Sequence, residues 1–547
     1  MVKPYLNEIG GKVENDVGMF TGGLNTYTDK AFIEADQMPY VMNMTMTNPP
    51  MLRTRGSRRS LHERFGSDVD NNLTVMNIYV NNKNDIFLIT RVGISTFTTY
   101  LERYYILDGE STFRKQVIGE IPTYDNYYFA YCPVVAEKYL YIANEFFKIR
   151  INLNAVPGNP LGIDTYDDHF GIPVWHKEKM WLCKPTSNTI EWSNSLQPDD
   201  FTTGQAGFAG ELYVTRAKGV IKDIVSFDDK LIVMCEHSIH AVYGDSGNPN
   251  NVNFFQLVDL NNNLGIMSAN CVAIGGGRLF FLGDNLEVYE YTGSSLSIVS
   301  RPGTTRNSTI SVGGVSGLLE PRDIGEFSET VDFYGSRSFF AATSERLYIN
   351  TWNMKRAMPE KLLFVFDIYN RVWWCEDGSF TTIAAYSSAE NSVLLAKPDG
   401  DVLVGGLHGD GNDYLYDRDT QKVEKVPIQY EFHTRVYGAD GLDMLKTLSE
   451  VWVQARANAD VYITDIWESI DKWAISVMVK DNGVKIGTLK YEYQAPTQDT
   501  RYRQDTYEQQ VCHVPKMYGE RLNTFQIVTK GEGQGKFWLM KRVWRAR

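Results

Sequence analysis

Short apolar runs separated by polar turns dominate the middle of this chain. They recur from about residue 74 to about residue 410, are rich in Val, Ile, Tyr, Phe and Trp, and alternate with turns that contain Gly, Asn or Asp. The runs Leu231 to Cys235 and Leu279 to Leu282 are examples, each followed within a few residues by another. Runs of this length between turn residues predict β-hairpins. No segment has the sustained periodicity of a helix.

The hairpins group into units that repeat every 40–55 residues or so, roughly the blade length of propeller repeats. Their first strands lie near residues 78, 127, 180, 221, 271, 338 and 383. A long series of hairpins must close on itself or leave sheet edges exposed to other chains. We therefore predict an all-β protein with a β-propeller of about six or seven irregular blades.

The two ends of the chain have a different character. Residues 1–73 contain prolines and glycines at irregular intervals, which predicts an extended N-terminal strap before a propeller over residues 74–424. Residues 425–547 contain alternating stretches such as Lys425 to Tyr437 and Leu489 to Tyr493. This pattern predicts a C-terminal antiparallel domain of the β-sandwich type.

Charge narrows the range of partners. The chain has 54 Lys and Arg against 67 Asp and Glu, a net charge of −13. Such a surface does not favour sequence-specific binding of nucleic acid, which requires phosphate neutralisation, although an acidic wall would let nucleic acid slide past. A local basic group, Arg58, Arg59, His62 and Arg64, is expected to be a solvated loop.

Cysteine usage and the N-terminus indicate where the protein is made. The six cysteines are scattered and form no Cys-x-x-Cys or Cys/His metal spacing, which predicts buried free thiols in a reducing cytosol. The segment from Met1 to Tyr5 has no apolar core of a signal peptide, and no run reaches membrane-spanning length. We expect a soluble protein made in the cytoplasm.

Catalytic motifs are absent from the sequence. There is no Gly-x-Ser-x-Gly elbow and no phosphate-binding loop, and Gly275 to Gly277 is best explained as a hairpin turn. His237 and His240 stand three apart, so on a strand they point to opposite faces. The stretch Asp167 to His169 is expected to be a loop. We predict no enzyme activity, no cofactor and no metal.

A carbohydrate-binding or receptor-binding propeller is the alternative, since glycosidase carboxylates come from distant strands and leave no local motif. Asp199 and Asp200 near Trp192 are the pair that this alternative favours. Trp192 itself, like Trp373 and Trp374, is expected to pack in the core. A cellular scaffold propeller is a third hypothesis, although the Gly-His and Trp-Asp signature of WD40 blades is missing.

The N-terminal strap carries a resemblance to a known family. A Phe-x-Gly-Gly-Leu-Asn opening is followed by a Pro and an Asn and then by an Arg-x-Arg-Gly close. The residues are Phe20, Gly22, Gly23, Leu24, Asn25, Pro39, Asn43, Arg53, Arg55 and Gly56. This pattern resembles the start of the β-propeller tail proteins of short-tailed bacteriophages, called nozzle or tail tubular B-type proteins. Stretches around Lys179 to Ser193 and Ile221 to Tyr243 are similar to its blades.

The resemblance implies a virion structural protein made in the host bacterial cytoplasm and located in the tail. It implies a ring of identical subunits, a hexamer, that contacts a tail adaptor and other tail proteins. Viral DNA would pass through the ring without sequence-specific binding. The resemblance brings no catalytic residues. For Gly22 and Gly23 it implies close backbone approach, and for Arg53 and Arg55 it implies pairing with carboxylates or carbonyls.

Overall fold

The structure is a computed structural model of the chain. It describes residues 13–18, 20–48, 51–61, 73–81, 85–93, 96–106, 114–124, 126–134, 138–154, 161–166, 168–184, 187–203, 208–304, 311–315, 339–353, 360–378, 380–387, 392–407, 410–417, 420, 422–437, 446–456, 473–481, 484–493, 508–513 and 525–546. These residues form β-strands, turns and irregular segments, and no α-helix occurs among them.

The chain begins with seven short strands. They are β1 (Val13–Gly18), β2 (Gly23–Leu24), β3 (Gln37–Met38), β4 (Tyr40–Met42), β5 (Met44–Asn48), β6 (Met51–Thr54) and β7 (Ser57–Ser60). Only β2 with β3 and β5 with β6 pair with each other, and the remaining partners of this segment lie far along the chain. The N-terminal segment is therefore held by the rest of the protein.

Five antiparallel sheets of four strands follow in chain order. The first is β8 (Leu73–Val80), β9 (Ile86–Val92), β10 (Thr98–Tyr105) and β11 (Arg114–Ile121). The second is β12 (Tyr128–Pro133), β13 (Lys138–Ala143), β14 (Lys148–Asn152) and β15 (Ile163–Tyr166). The third is β16 (Ile172–His176), β17 (Lys179–Lys184), β18 (Thr189–Trp192) and β19 (Gly210–Tyr213). The fourth is β20 (Ile221–Phe227), β21 (Lys230–Cys235), β22 (Ile239–Tyr243) and β23 (Gln256–Asn261). The fifth is β24 (Val272–Gly275), β25 (Arg278–Leu282), β26 (Val288–Tyr291) and β27 (Leu296–Ile298).

Two further sheets complete a seven-bladed propeller. After the pair β28 (Gly303–Thr304) and β29 (Ser311–Val312), the sixth blade is β30 (Phe339–Ala342), β31 (Arg346–Asn353), β32 (Glu360–Asp367) and β33 (Val372–Asp377). The seventh blade contains β34 (Thr382–Ser387), β35 (Ser392–Ala396) and β36 (Val402–Leu407). Its fourth strand is β7, from the start of the chain, which lies antiparallel to β36. The N-terminal segment thus completes the last blade.

The seventh blade closes the ring against the first. Strand β34 lies beside β8, and the buried Val75 and Leu88 of the first blade belong to the same apolar cluster as Leu394 and Val404 of the seventh. Similar apolar clusters pack between consecutive blades from the first to the fifth. Closure packs each blade against its neighbours and leaves only the short outer edges of the blades. The prediction of an all-β propeller of six or seven blades is confirmed.

The blade hairpins share a local design. In blades three, four and five, two residues with positive φ join the first two strands, as at Lys177 (48°) and Glu178 (60°) or Asp228 (49°) and Asp229 (62°). Two positive φ values are the geometry of the type I′ turn, whose twist suits a two-residue hairpin. A cation begins the next strand in each case, and the three residues are Lys179, Lys230 and Arg278.

A second all-β unit lies against the propeller and confirms the predicted sandwich. The remaining strands of the chain are β37 (Asn412–Asp417), β38 (Lys422–Pro427), β39 (Gln429–His433), β40 (Lys446–Arg456), β41 (Trp473–Asp481), β42 (Val484–Tyr493), β43 (Glu508–His513), β44 (Gln526–Glu532) and β45 (Lys536–Ala546). One layer contains β43, β40, β45, β6 and β5, and β1 pairs with β45. The facing layer contains β4, β39, β44, β41 and β42, and Phe432 packs edge-on against Phe537 between the layers, 5.0 Å apart.

The domain boundaries predicted at residues 73–74 and 424–425 do not fall between sheets. Strand β7 belongs to the seventh blade, and β37 and β38 extend that same sheet beyond residue 424. Strand β4 lies between β33 of the sixth blade and β39 of the sandwich, so one sheet runs through both units. The physical reason is that strands pair wherever an unpaired edge is available, whatever their separation in sequence.

Candidate functional site

The residues that carry the family resemblance begin at the junction of the propeller and the sandwich. Phe20 is buried, with φ of 52°, and its ring packs edge-on against Phe432 at 5.3 Å. Gly23 has φ of 71°, and a Cβ there would come within 3.1 Å of the carbonyl oxygen of Trp373. Positive φ and this close approach both favour glycine. Leu24 is buried in the same core.

The next signature residues hold the strap in a defined shape. Gly22 donates its backbone N–H to the carbonyl of Asp36 at 3.0 Å. The Asn25 amide donates to the side chain of Gln37 at 2.7 Å, and its oxygen accepts from the backbone of Tyr27 and Thr28. These bonds fold the segment back on itself between β2 and β3. Pro39 lies between β3 and β4.

Asn43 connects three segments of the chain. Its φ is 59°, a left-handed conformation that Asn tolerates better than most residues. Its amide donates to the carbonyl of Gln429 at 2.6 Å, and its side-chain oxygen accepts from the backbone N–H of Asp377 at 3.0 Å and from Arg55 Nε at 3.0 Å. Asn43 therefore links the strap, the sixth blade and the sandwich strand β39.

An ionic cluster lies beside Asn43, and we call Arg55, Arg58, Glu376, Asp377 and Asp413 the strap anchor. Four of these side chains are buried, and that of Asp377 is 57% exposed. Arg55 is 3% exposed and donates to both carboxylate oxygens of Asp413, at 2.8 and 2.6 Å. It also reaches Asp377 at 3.2 Å. Arg58 contacts Glu376 at 3.0 Å and Asp377 at 3.3 Å. Paired, nearly planar contacts of this kind are the strongest that a guanidinium makes.

The electrostatics of the strap anchor favour the charged state. Burial alone would lower the pKa of Arg55, but its hydrogen bond and attraction to Asp413, with Asp377 and Glu376, raise it instead. Partial desolvation alone would raise the pKa of Asp377, and the nearby Arg58 and Arg55 lower it. Since Arg55 is buried and its donors are engaged, this cluster joins segments of the chain, and only its Asp377 side chain is exposed to solvent.

The last two signature residues flank the strap anchor. Arg53 lies on β6, opposite Lys536 of β45, and burial lowers its pKa. Gly56 accepts a hydrogen bond from Arg55 at its carbonyl. The basic group was expected to be a solvated loop, but Arg58 is buried in the strap anchor. Arg59 is exposed, and its guanidinium lies over the Tyr414 ring. His62 and Arg64 lie outside the described residues.

The carboxylate pair favoured by the carbohydrate alternative is not assembled as a pair. Asp199 accepts from Tyr141 at 2.7 Å and pairs with Arg150 of the second blade. Asp200 instead accepts from the amide of Asn194 at 2.8 Å. Trp192 is buried, as expected, and donates its indole N–H to the Phe208 carbonyl. No sugar ring can therefore stack on Trp192.

Asp199 belongs to an ionic network between the second and third blades. The Lys148 ammonium is buried, 3.4 Å from Asp199, and lies over the rings of Tyr166 and Phe201. Burial lowers the pKa of Lys148, and Asp199 opposes that shift. Two cations therefore share one carboxylate, which ties β14 to the long loop of the third blade. Asp167, next to this region, lies outside the described residues.

The fourth blade contains a Ser-His-Asp arrangement that sequence reasoning missed. Ser238 Oγ is 3.0 Å from His240 Nε2, and His240 Nδ1 is 2.9 Å from Asp259, distances typical of a catalytic triad. However, Ser238 and His240 are each 0% exposed, and Ser238 Oγ accepts the backbone N–H of Lys218. A nucleophile must reach its substrate, so this arrangement acts as an internal brace of the blade.

In the part that the structure describes, no three His, Cys, Asp or Glu side chains are grouped as a metal site. No helix within the described ranges has the length and apolarity needed to cross a membrane. Among the described residues, the buried thiols that form no disulfide bond are Cys132, Cys183, Cys235, Cys271 and Cys375.

No protein-family model and no curated protein matches the chain. Solved structures that match include Chaetomium thermophilum Sqt1 bound to the N-terminus of ribosomal protein L10 (TM-score 0.35, 10% identity, 64% of this chain and 96% of that one). Others are the Myceliophteria thermophila Cps50 (Swd1) β-propeller domain (0.37, 10%, 61% and 97%) and YCF48 bound to D1 peptide (0.33, 10%, 67% and 98%). At these scores the likeness carries no inference about function, and the fold rests on the sheet topology.

Proposed function

We propose that the protein is a virion structural protein, the tail nozzle subunit that forms a ring around the DNA-ejection channel of a short-tailed phage. The observation that carries the proposal is the convergence of the signature residues on one junction. Four signature residues have partners that are distant in sequence, and all four lie where the propeller meets the sandwich. They are Phe20, Gly23, Asn43 and Arg55.

Such a junction suits a subunit that must transmit force without deforming. Strand β4 pairs with β33 of the sixth blade and with β39 of the sandwich, so relative motion of the two units would break sheet hydrogen bonds. Buried ion pairs reinforce the same place. A rigid two-part subunit is what a ring needs if it resists the pressure of packaged DNA.

The charge of the chain supports the same function. A net charge of −13 per subunit is multiplied in a symmetric ring. Where acidic groups face a channel they repel phosphate, so DNA would pass without sticking. The Ser-His-Asp arrangement is buried, and Asp199 and Asp200 do not form a pair, so neither of these favours catalysis.

The test is to locate the protein in the particle of the virus that encodes it. Gold-labelled antibodies raised against the purified chain should mark the tail end of each particle in negative-stain electron microscopy. The same antibodies preabsorbed with purified protein are the control and should give no label. A chain missing from the mass spectrum of purified particles would contradict the proposal.

A further inference from the structure

An exposed aromatic surface lies on one face of the first two blades. Phe97 is 50% exposed, Phe146 is 62% exposed, and Tyr124 between them is half-buried. Phe97 lies in the turn between β9 and β10, Phe146 in the turn between β13 and β14, and Tyr124 in the connection from β11 to β12. Because the strands are antiparallel, these three connections emerge at the same face of the propeller. We call these three residues the aromatic platform.

The platform is rigid. The Tyr124 ring is stacked with Phe146 at 5.2 Å and 16°, and with the buried Phe147 at 5.4 Å and 8°. Asn144 accepts the backbone N–H groups of both phenylalanines through its side-chain oxygen, which fixes the turn that presents them. The backbone N–H of Tyr124 donates to the hydroxyl of Tyr127 at 2.8 Å. Little conformational entropy would be lost when a ligand binds here.

One cation joins the two halves of the platform. The Arg91 guanidinium lies over the Phe97 ring, 5.4 Å from its centroid, and donates to the carbonyl of Tyr124. Phe97 and Tyr124 are therefore parts of one continuous surface. Polar side chains lie close by in sequence and are exposed, among them Thr123, Asn126 and Glu145.

We propose that the aromatic platform binds a neutral glycan by stacking pyranose rings on Phe146 and Phe97. Aromatic faces carry partial negative charge, and the C–H groups on one face of a sugar ring carry partial positive charge, so the two attract. Amide and carboxylate groups such as those of Asn126 and Glu145 suit sugar hydroxyls, which both donate and accept. A few apolar contacts with a few convergent polar groups are the usual composition of a small-ligand site.

Charge favours a neutral glycan over single-stranded nucleic acid. Proteins that stack bases also need a positively charged groove for the phosphates. Here Arg91 is already engaged with Phe97 and Tyr124, and Glu145 is acidic. Area favours a glycan over a protein partner, because three partly exposed rings supply roughly 300 Å² and a stable protein interface buries about 800 Å² on each side.

The inference does not depend on the nozzle function, since the platform lies on the propeller and not at the strap anchor. It also differs from the site around Trp192 that the sequence favoured, because Trp192 is buried whereas Phe146 is exposed. We assign glycan binding to the platform and assign no glycan cleavage to it.

The experiment uses the full-length chain and three neutral hexasaccharides. These are the α-1,4-linked and β-1,4-linked hexamers of glucose and the β-1,4-linked hexamer of N-acetylglucosamine. Binding is measured by titration calorimetry and by saturation-transfer NMR. We expect at least one to bind with a Kd of about 1 mM or tighter, a range typical of a shallow site.

Matched variants locate the binding. Phe146→Ala and Phe97→Ala should each weaken affinity by about tenfold or more. Tyr369→Ala is the control, since Tyr369 is 66% exposed in the turn between β32 and β33, and it should bind as the wild type does. Unchanged melting temperatures show that the variants are folded, as expected for exposed side chains.

Three results would overturn the inference. The first is no binding of any of the three hexasaccharides at millimolar concentration. The second is binding that Phe146→Ala and Phe97→Ala leave unchanged. The third is preferential binding of an oligothymidylate that is lost in Phe146→Ala, which would assign the platform to nucleic acid.

Discussion

Arg55 and Asp223 are two ionisable side chains that this fold buries in different ways. Arg55 is surrounded by carboxylates, with Asp413 at 2.6 Å. Asp223, on the inner strand of the fourth blade, is 9% exposed and accepts a bond from the backbone N–H of Ile224 at 2.8 Å. Burial raises the pKa of Asp223 to about 8, and the Ile224 N–H only partly opposes this. We therefore expect opposite effects on stability when the two side chains are replaced by neutral ones.

Arg55→Ala should strongly destabilise the protein. Removing the guanidinium leaves Asp413 buried without its partner, and breaking a buried pair costs about 3–5 kcal/mol. Arg55→Lys should fall between, because one ammonium cannot satisfy both oxygens of Asp413. The control is Arg216→Ala, which removes an exposed guanidinium that pairs with Asp259, with little change expected. The measurement is the melting temperature, and a value equal to the wild type for Arg55→Ala would contradict the role of the strap anchor.

Asp223→Asn should become relatively more stable as pH rises. In the folded protein this carboxyl keeps its proton up to about pH 8, whereas in the unfolded chain it loses the proton above 3.8. Because the folded state binds the extra proton, the group lowers the free energy of unfolding as pH rises between those values. Asn cannot ionise, so the variant escapes this loss. The difference in melting temperature between Asp223→Asn and wild type should grow from about pH 5 to about pH 8. A difference that stays constant would show that Asp223 is ionised in the fold.

At the residue scale, the sequence shows which side chains are present but does not show where each of them points. Asp199 and Asp200 are neighbours in sequence, yet one pairs with Arg150 and the other with Asn194, because consecutive residues of a loop point to different sides. Trp192 is buried, in agreement with the expectation that it packs in the core. The contact between Ser238 and His240 could have been suspected from their two-residue spacing. The third residue, Asp259, comes from another strand and could not.

The element that sequence reasoning could not place is β7. The hairpins of the propeller are local, so alternation and turn residues predict them. Strand β7 is Ser-Arg-Arg-Ser, has no apolar alternation, and pairs with Leu403 and Val404 more than 340 positions away. Nothing local specifies such a partner. The same holds for β4, whose neighbours belong to the sixth blade and to the sandwich.

Arg59→Pro should loosen the closure of the propeller. Strand β7 lies between β36 and β37, so a proline in it removes a backbone hydrogen bond that a central strand needs. Amide hydrogen exchange should accelerate in β36 and in β8, which belongs to the neighbouring blade. Arg59→Ala is the matched control, since it removes the contact with Tyr414 but keeps the backbone N–H, and exchange should change little. Equal exchange in both variants would mean that β7 does not hold the ring closed.

At the scale of the whole molecule, the propeller and the sandwich share sheets. The sequence predicts both units because each consists mainly of local antiparallel strands. It does not predict their connection, which uses strands from the first 61 residues. This connection joins the propeller and the sandwich at the strap anchor, and a rigid connection of this kind is the property that the proposed nozzle function requires. The shared sheets also explain why no clean linker separates the two units.

The measurement that tests the nozzle proposal most directly is cryo-electron microscopy of the purified protein and of the particles of the virus that encodes it. The account predicts a closed ring of identical subunits at the tail tip, with acidic side chains facing a central channel. The strap should hold the propeller to the sandwich in every subunit. A propeller that is absent from the particles and monomeric in solution would contradict the nozzle function.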